Sequence, residues 1–410
     1  YLLNEVEKKM GGGGVLGAVA DRTEYGTPLT LNITQKVGIL PTRNFLEGQF
    51  EGASEIDAYA FRRKIAVSDK SCFGCSLTCA KFSRARVGPY VGEFVGGTEY
   101  ETNGIMGANL DNASMEAVLH LNLLCDDLGL DTIGAGVLVG FAMECYERGI
   151  LSRADLDGLD LRFGNIEAAD RLLHMMAYRE GIGDLLSQGV KKAAEEIGKG
   201  SEEFAMHCKG MEYPAYRPGV NSLAFALGFA ITERGACHRR CWPAIVEQNL
   251  KPFVTEGRAK LVKDLYDQRI PWHCGVLCDI AVLTPGLDFV DASNLFSAVT
   301  GWELTAEELA GSALGDRVAA LARSYNVREG ATREDDVLAP RTFGVEVSKP
   351  GAGHEFTREM LEEMLDEYYD LRGWSREGVP ERETLLRLGL GDVAEELSRR
   401  GKLPEEVLKE

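Results

Sequence analysis

The chain lacks both an excess of basic residues and any long apolar run. Its 410 residues include 45 lysines and arginines against 64 acidic residues, a net charge of −19. This balance argues against a nucleic-acid-binding protein, because phosphate binding needs a basic surface. The longest uncharged apolar stretch, residues 133–143, has eleven residues, whereas a membrane-spanning helix needs about 20. The sequence therefore predicts neither a nucleic-acid partner nor a membrane segment.

Cysteine is scarce as well, and the start of the chain has no secretory pattern. Ten cysteines in 410 residues are too few for a disulfide scaffold. No charged-then-apolar leader is present, so we expect a cytoplasmic protein. The chain begins with Tyr1 instead of methionine. We therefore expect that a preceding segment has been removed, or that the sequence is a piece of a longer chain.

Alternating β patterns are rare, and the fold class is predicted as mostly α. Ser114 is a candidate N-cap for a helix over 114–125, and the glycine-rich stretch 131–148 predicts a buried helix that ends at Gly149. The remaining predictions are helices over 306–324 (opened by a Thr305–Glu308 capping box), 357–371 and 381–399, one strand over 29–35 (LTLNITQ), and a flexible or tightly turning tetraglycine at Gly11–Gly14.

Length and patterning together suggest more than one domain. The length corresponds to roughly two to three domains. Helical patterning stops near residues 200–212, where the proline-punctuated stretch MEYPAYRPGV follows. We predict two domains, residues 1–207 and 208–410.

Three of the ten cysteines form the run Cys72-Phe-Gly-Cys75-Ser-Leu-Thr-Cys79. Three thiolates at this spacing can bind one face of a [4Fe–4S] cluster, whose fourth thiolate must then come from elsewhere. Zinc also binds four cysteines, but usually through two C-x2-C pairs, and the sequence has no second pair. Cysteines that merely pack are a weaker interpretation, because free cysteines seldom crowd so closely.

Seven other cysteines are candidates for the fourth ligand, and periodicity alone does not choose among them. Cys125 and Cys145 lie in apolar helical contexts and are better explained as core residues. Cys274 and Cys278 lie on an irregular segment that could approach a cluster. The remaining candidates are Cys208, Cys237 and Cys241.

Several short motifs accompany the cysteine run in a fixed order. Tyr25-Gly26-Thr27 and the stretch LPTRNF at 40–45 precede it. Gly97–Thr102 (GTEYET), Gly107-Ala108-Asn109 and Cys125–Ile133 (CDDLGLDTI) follow it, and Arg234–His238 (RGACH) and Leu277-Cys278 lie further on. This order resembles the aldehyde ferredoxin oxidoreductases, the tungsten- or molybdenum-pterin enzymes, over nearly the whole chain.

The resemblance implies a fold and a set of cofactors. The family has a β-rich first domain that cradles the pterins and two helical domains after it. This chain is similar to the two helical domains only, so the β-rich pterin domain is expected to be absent from the sequence given. The implied cofactors are one [4Fe–4S] cluster and a tungsten- or molybdenum-bis-pterin.

The resemblance also assigns cofactor ligands. Cys72, Cys75 and Cys79 match the cluster motif, and Cys278 matches the fourth ligand. Asp126, Gly129, Leu130 and Asp131 match the first pterin motif, and Leu277 lies in the second. Carboxylates suit the N–H-rich pterin edge as hydrogen-bond acceptors. Spacing alone favours another interpretation, a helix that ends at Gly129 and a new helix capped by Asp131, and both can hold at once.

Two residues match catalytic positions of the family. Glu101 matches a glutamate beside the metal, where a carboxylate in a closed pocket can accept a proton. His238 matches an active-site histidine, whose imidazole can hydrogen-bond a substrate oxygen. Without the resemblance, Glu101 would be interpreted as a surface acid and His238 as a surface or structural histidine.

The sequence departs from the family pattern at two places. The second pterin motif of the family is D-x-x-G-L-C, but here His273 replaces the acid and Val276 replaces the glycine. In some members a glutamate and a histidine bind a metal between two subunits. The matching positions here are His120 and Asp170, so a homodimer bridged in this way is one expectation, and a helix-face histidine with its hydrogen bonds satisfied is the other.

The resemblance implies oxidation of an aldehyde to a carboxylic acid, with electrons passing through the cluster to ferredoxin. Lys81, Arg84 and Arg86 follow the cysteine run and are interpreted either as a docking patch for an acidic ferredoxin or as support for the cluster loop. Three alternatives stay open. They are another low-potential reaction such as reduction of an aromatic acyl thioester, an iron–sulfur electron-transfer subunit, and a zinc-binding structural protein using Cys237, His238, Cys241, His273 and Cys274.

Overall fold

The chain folds into two compact units. The computed structural model describes residues 16–219, 221–244, 246–251, 254–284, 286–310, 312–343 and 355–403. The N-terminal unit contains the described residues of 17–222 and 338–356, and the C-terminal unit those of 223–337 and 357–410. The tetraglycine at Gly11–Gly14 lies outside the described residues. The domain boundary predicted between residues 207 and 208 stays a prediction.

The N-terminal unit is mostly helical and carries two small antiparallel sheets. Its α-helices are Leu16–Tyr25, Leu29–Val37, Ala53–Ile56, Ala58–Lys64, Tyr100–Thr102, Met115–Leu128, Thr132–Glu147, Ile166–Tyr178, Ile182–Leu186 and Val190–Ile197. A π-helical turn, Asn103–Gly107, is followed directly by the 3-10 turn Ala108–Leu110. Two further 3-10 turns of this unit lie at Ser201–Phe204 and Pro340–Thr342. Strands β1 (Ala66–Lys70), β2 (Ala80–Arg84) and β3 (Phe94–Gly96) form one sheet in that order, and β4 (His207–Cys208) pairs with β5 (Met211–Glu212).

The core of this unit is built around two helices that the sequence predicted. Ser114 Oγ accepts a hydrogen bond from the Ala117 amide and begins Met115–Leu128. Asp131 Oδ2 accepts from the Gly134 amide at 2.7 Å and begins Thr132–Glu147. Gly149 has the left-handed φ of +70° expected after the second helix. Both helices are therefore confirmed, and Cys125 and Cys145 are buried in their core as expected.

These two helices also bear on the membrane question. Among the described residues, no single helix is long and apolar enough to cross a membrane. The helices Met115–Leu128 and Thr132–Glu147 are long and apolar enough for a membrane span only when they are counted together. Their axes are bent by 114° at the break between them.

The strand predicted over 29–35 is wrong, because these residues form the helix Leu29–Val37. The alternating apolar and polar residues suggested a strand, but Thr30, Leu31 and Thr34 lie on one helical face and are buried. Gly38, with φ of +80°, ends the helix. Burial of a helical stripe outweighs the local strand preference, which is a weak determinant.

The C-terminal unit is helical. Its α-helices are Leu223–Ile231, Arg258–Cys274, Asp279–Leu283, Phe289–Thr300, Ala306–Ala310, Ser312–Arg328, Arg358–Arg372, Arg382–Arg387 and Gly391–Arg399, with 3-10 turns at Val246–Asn249 and Arg333–Asp335. The fold class predicted from the sequence, mostly α, is confirmed.

One long helix predicted for this unit is interrupted and another is present in its described residues. The Thr305–Glu308 capping box is present, with the Glu308 amide donating to Thr305 Oγ1 at 3.2 Å, and the described residues of the predicted helix are helical over Ala306–Ala310 and from Ser312 onwards. The stretch predicted over 381–399 breaks at Gly389, whose φ of +67° is left-handed. The helix over 357–371 is confirmed as Arg358–Arg372, with Thr357 as its N-cap.

Candidate functional site

The cysteine run forms the loop of a β-hairpin. Strands β1 and β2 pair antiparallel, and Lys70 opposite Ala80 is the pair nearest the loop. The Cys75 amide donates to the Cys72 carbonyl oxygen at 3.1 Å, and the Cys79 amide donates to Leu77 at 2.9 Å. Cys72 is exposed, Cys75 and Cys79 are half-buried, and none of the three forms a disulfide. The hairpin therefore presents three cysteines on one short loop.

This loop fits a cluster by the chemistry of its donors. A [4Fe–4S] cluster takes cysteine thiolates, and the loop offers three of them without a disulfide among them. Gly74, between the first two, has a φ of +71° with open space around it. Among the described residues, no group of three or more His, Cys, Asp or Glu side chains has converged into a preformed ion site.

Lys81 lies beneath the loop and is not part of a docking surface. Its side chain is fully buried, and its Nζ donates to the carbonyl oxygens of Thr23 and Thr78 at 2.5 and 2.6 Å. The docking interpretation is therefore wrong for Lys81, because an ammonium that binds carbonyl groups inside the protein cannot meet a partner. Arg84 and Arg86 are exposed.

Glu101 lies on the short helix Tyr100–Thr102 and is held from a distant segment. The Ala215 amide donates to Glu101 Oε2 at 2.6 Å. The hydroxyl of Tyr100 donates to the Ala215 carbonyl oxygen and also lies 3.2 Å from Thr34 Oγ1. The side chain of Glu101 is half-buried. Both backbone groups of Ala215, its amide and its carbonyl, are therefore hydrogen-bonded, and the amide orients the Glu101 carboxylate.

The segment around Gly26 and Thr27 connects the cysteine loop to this helix. A Cβ at Gly26, which has a φ of +66°, would collide with the Cys79 carbonyl oxygen. The Thr27 hydroxyl donates to Glu99 and accepts from the Tyr100 amide at 2.9 Å. Burial raises the pKa of Glu99. Sequence reasoning did not assign roles to Thr27 and Glu99, although both lie in motifs that carried the resemblance.

The first pterin motif occupies the turn between the two core helices. Gly129 has a left-handed φ of +70° and ends Met115–Leu128, and Asp131 caps the next helix. The capping interpretation of these two residues is confirmed. Leu130 is half-buried, and its amide donates to the Cys125 carbonyl oxygen at 2.8 Å. Asp126 is exposed, and Asn122 Nδ2 donates to its Oδ2 at 3.0 Å. Partial desolvation of the Asp126 carboxylate raises its pKa, and the negative charge of the neighbouring Asp127 adds to this effect.

The second motif forms a turn after the helix Arg258–Cys274. Val276 has a φ of +57° and is 92% exposed, so it keeps a left-handed backbone that glycine adopts more easily. The amide of Leu277 donates to Trp272, and its side chain packs on the core around Trp272. The buried Nδ1 of His273 has no hydrogen-bond partner, and burial lowers its pKa. A neutral imidazole with an unsatisfied nitrogen fits a polar cofactor edge.

His238 and Cys278 both belong to the C-terminal unit. Burial lowers the pKa of His238 to about 3, and the positive charges of Arg239 and Arg234 add to this effect. Its imidazole is therefore neutral near pH 7. Arg239 forms an ion pair with Asp279, the residue after Cys278. Cys278 is exposed and is the N-cap residue of Asp279–Leu283. Within this unit, the ion pair joins the histidine loop to the cysteine turn.

His120 has both ring nitrogens occupied by carboxylates. Its Nδ1 lies 3.0 Å from both Glu93 carboxylate oxygens, and its Nε2 lies 2.7 Å from Asp170 Oδ2. The ring of Tyr90 stacks on it, with centroids 4.1 Å apart. The hydrogen bonds of this helix-face histidine are satisfied, as one of the two sequence-based interpretations expected, and the bridging metal stays a prediction.

Comparison with known proteins identifies the family. A family model described as aldehyde ferredoxin oxidoreductase, domains 2 and 3, matches residues 8–390. The chain belongs to the aldehyde ferredoxin oxidoreductase family, and the resemblance found in the sequence is confirmed.

Two relatives illustrate how much of the family architecture is present. The tungsten-containing aldehyde ferredoxin oxidoreductase of Pyrococcus abyssi is 33% identical over 378 residues, covering 90% of this chain and 60% of that protein. The aliphatic sulfonate oxidoreductase, WOR-like subunit, of Pyrococcus furiosus is 31% identical over 373 residues, covering 88% of this chain and 56% of that protein. The chain therefore spans less than two thirds of the length of either relative.

A solved structure shares the fold. The active-site complex BamBC of benzoyl coenzyme A reductase, determined with 1,5-dienoyl-CoA, superposes with a TM-score of 0.74. It is 20% identical, and the match covers 98% of this chain and 66% of that one. At this identity the likeness describes the fold alone.

Proposed function

We propose that this chain is the helical, cluster-binding part of an oxidoreductase that oxidises an aldehyde to a carboxylic acid. The oxidation releases two electrons and two protons for each water added. A tungsten- or molybdenum-bis-pterin would accept the electron pair when bound. The electrons would then leave singly through a [4Fe–4S] cluster to ferredoxin or a similar carrier. Family membership and the names of the relatives support this proposal.

One structural observation carries the proposal furthest. A single segment, Gly26-Thr27, contacts Cys79 of the cysteine loop through its backbone and the Glu99–Tyr100 turn through the Thr27 hydroxyl. The candidate electron exit and the helix of Glu101 are therefore braced against each other within one folded unit. An enzyme that couples proton removal to electron transfer needs this kind of fixed arrangement.

The residues of this chain would divide the work as follows. Glu101, oriented by the Ala215 amide, would accept a proton from the water that adds to the aldehyde carbonyl. His238, neutral because its pKa is lowered to about 3, would donate a hydrogen bond from its ring N–H to the developing oxyanion. Asp126 and His273 would bind polar edges of the pterins. Cys72, Cys75 and Cys79, with Cys278 as the fourth thiolate, would hold the cluster.

Reduction of an aromatic acyl thioester is a second candidate. The observation that favours it is His273, because an imidazole with an unsatisfied Nδ1 replaces the acid that the resemblance implies. Replacing a carboxylate with a neutral ring changes the hydrogen bonds and charge offered to the cofactor, and second-shell changes of this kind tune a redox centre.

The test is metal analysis and turnover of the complete protein. We expect iron together with tungsten or molybdenum, and reduction of ferredoxin that depends on added aldehyde. Iron without tungsten or molybdenum would favour the electron-transfer subunit, and zinc as the sole metal would favour the structural alternative. Full metal content with activity on an aromatic acyl thioester and none on aldehydes would select the second candidate.

A further inference from the structure

We propose that Lys81 makes the cluster on the cysteine loop easier to reduce, by placing a buried positive charge directly beneath the loop. This inference rests on one part of the proposed function, that the loop binds a [4Fe–4S] cluster. It does not depend on the substrate.

The ammonium group of Lys81 is fixed in place by the protein backbone. Lys81 lies on β2, two residues after Cys79, and its side chain has no solvent exposure. Its Nζ donates to three carbonyl oxygens, at 2.5 Å to Thr23, 2.6 Å to Thr78 and 3.3 Å to Ala80. An ammonium has three donors, so all of them are accounted for by carbonyl groups. Two of these carbonyls flank Cys79, which fixes the distance between the charge and the loop.

The counterion of Lys81 compensates its charge only in part. Asp69 Oδ1 lies 3.3 Å from Nζ, but the Asp69 side chain is 50% exposed whereas that of Lys81 is fully buried. Water screens an exposed charge more strongly than a buried one. Asp69 therefore offsets the Lys81 charge less than a buried carboxylate would, and Lys81 contributes a positive field at the loop beside the opposing charge of Glu99.

A thiolate-bound cluster responds to such a field in a known direction. One-electron reduction adds one negative charge to an already anionic cluster, and nearby charge and hydrogen bonding set the reduction potential. A fixed positive charge stabilises the more negative, reduced form by more than it stabilises the oxidised form. Removing it should disfavour reduction, while removing Asp69 should favour it.

Arg84 provides a matched control on the same strand. It is exposed, and its guanidinium carbon lies 5.6 Å from the ring centroid of Phe94. Arg84→Met removes one positive charge, as Lys81→Met does, but from a solvated position. The comparison therefore separates the buried charge from a general change in net charge.

The experiment is a reductive titration of the complete protein followed by electron paramagnetic resonance. For Lys81→Met we expect the equilibrium constant for cluster reduction to fall at least about tenfold, which is 59 mV for a one-electron couple. For Asp69→Asn we expect a shift to higher potential. For Arg84→Met we expect less than about a third of the Lys81→Met shift in potential, because water screens the lost charge.

Iron content of the wild-type protein distinguishes a failure of the proposed function from a failure of this inference. Wild-type protein without iron contradicts the proposed function, and this inference falls with it. Iron-loaded variants with unchanged potentials overturn this inference alone and leave Lys81 as a brace for the loop. If Lys81→Met does not retain iron, Asp69→Asn decides, and an unchanged or lower potential in that variant overturns the inference.

Discussion

The amide of Ala215 donates a 2.6 Å hydrogen bond to Glu101 Oε2, across 114 positions of the sequence. The Tyr100 hydroxyl holds the carbonyl of the same alanine. Gly104 lets the two segments approach, since a Cβ there would lie 2.6 Å from the Ala215 Cβ. The position of the candidate proton acceptor is thus set by a segment that local sequence does not connect to it.

Glu101→Gln in the complete protein is expected to lower turnover by about 10² to 10⁴-fold, the usual contribution of general acid–base catalysis. Glutamine keeps the oxygen that accepts from Ala215, so iron and tungsten or molybdenum contents should stay at wild-type levels. The measurement is turnover and metal content on the same samples. Glu55→Gln, which changes an acid paired with Lys64 at the surface, is the control. Near-normal turnover of Glu101→Gln at full metal content would contradict the proton-acceptor role.

Gly104→Ala is expected to destabilise the protein by about 1–3 kcal/mol, the usual cost of overpacking a filled core. Its added methyl group would press on the side chain of Ala215. Gly134→Ala is the matched control, because its nearest neighbour, Asp131 Oδ2, would lie at an ordinary 3.5 Å. Urea unfolding of both variants checks the prediction, and equal midpoints would mean that the Gly104 approach carries no packing constraint.

Cys278→Ser is expected to lose iron, whereas Cys274→Ser is expected to retain it. Both residues are exposed and free, so neither thiol is needed for the core. Cys274 is the last residue of the helix Arg258–Cys274, and Cys278 is the N-cap residue of the helix Asp279–Leu283. Iron analysis and the cluster absorption spectrum are the measurements. The reverse pattern would assign the fourth ligand to Cys274.

Arg341→Met is expected to cost about 3–5 kcal/mol of stability, as removal of one partner from a buried ion pair does. Arg341 donates to both carboxylate oxygens of the buried Glu144 and to the Asn44 carbonyl oxygen at 2.8 Å. Arg148 pairs with the same carboxylate, but its side chain is 50% exposed. Arg148→Met should therefore cost only about 0–1 kcal/mol, and comparable losses in chemical denaturation would contradict the distinction.

His238 is expected to make the folded protein less stable in acid. Its pKa is about 3 in the folded chain, against an ordinary value of 6.5. Between these values the unfolded chain binds a proton that the folded chain does not. The stability from this group is therefore complete above about pH 6.5 and is lost as the pH falls towards 3.

His238→Asn removes the pH-dependent contribution of this histidine to stability. The free energy of unfolding of the variant should therefore fall less between pH 7 and pH 5 than that of the wild type. Urea midpoints at both pH values measure it. Parallel pH dependences of variant and wild type would show that His238 has the same pKa in the folded and the unfolded chain. Because the ring is neutral throughout, titration of His238 should not change the turnover rate between pH 5 and 8. A pH–rate profile of the complete protein measures this.

The sequence determined the features that depend on neighbouring residues. Ser114 and Asp131 cap their helices as their positions predicted, because a capping side chain needs only the amides of the next turn. The cysteine run is local too, and a nine-residue loop between paired strands keeps its three thiols together. The order of these local motifs was enough to identify the family.

The tertiary structure decided what depends on partners far along the chain. Residues 29–37 became a helix because their buried face outweighs the strand preference of β-branched residues. For Lys81, the structure excluded the docking patch, one of two interpretations that the sequence left open, because carbonyl groups of Thr23 and Thr78 bind its ammonium inside the protein. The hydrogen bond from Ala215 to Glu101 exists only once distant segments pack. Spacing along a chain encodes local hydrogen bonds, whereas burial and long-range pairing arise when the core forms.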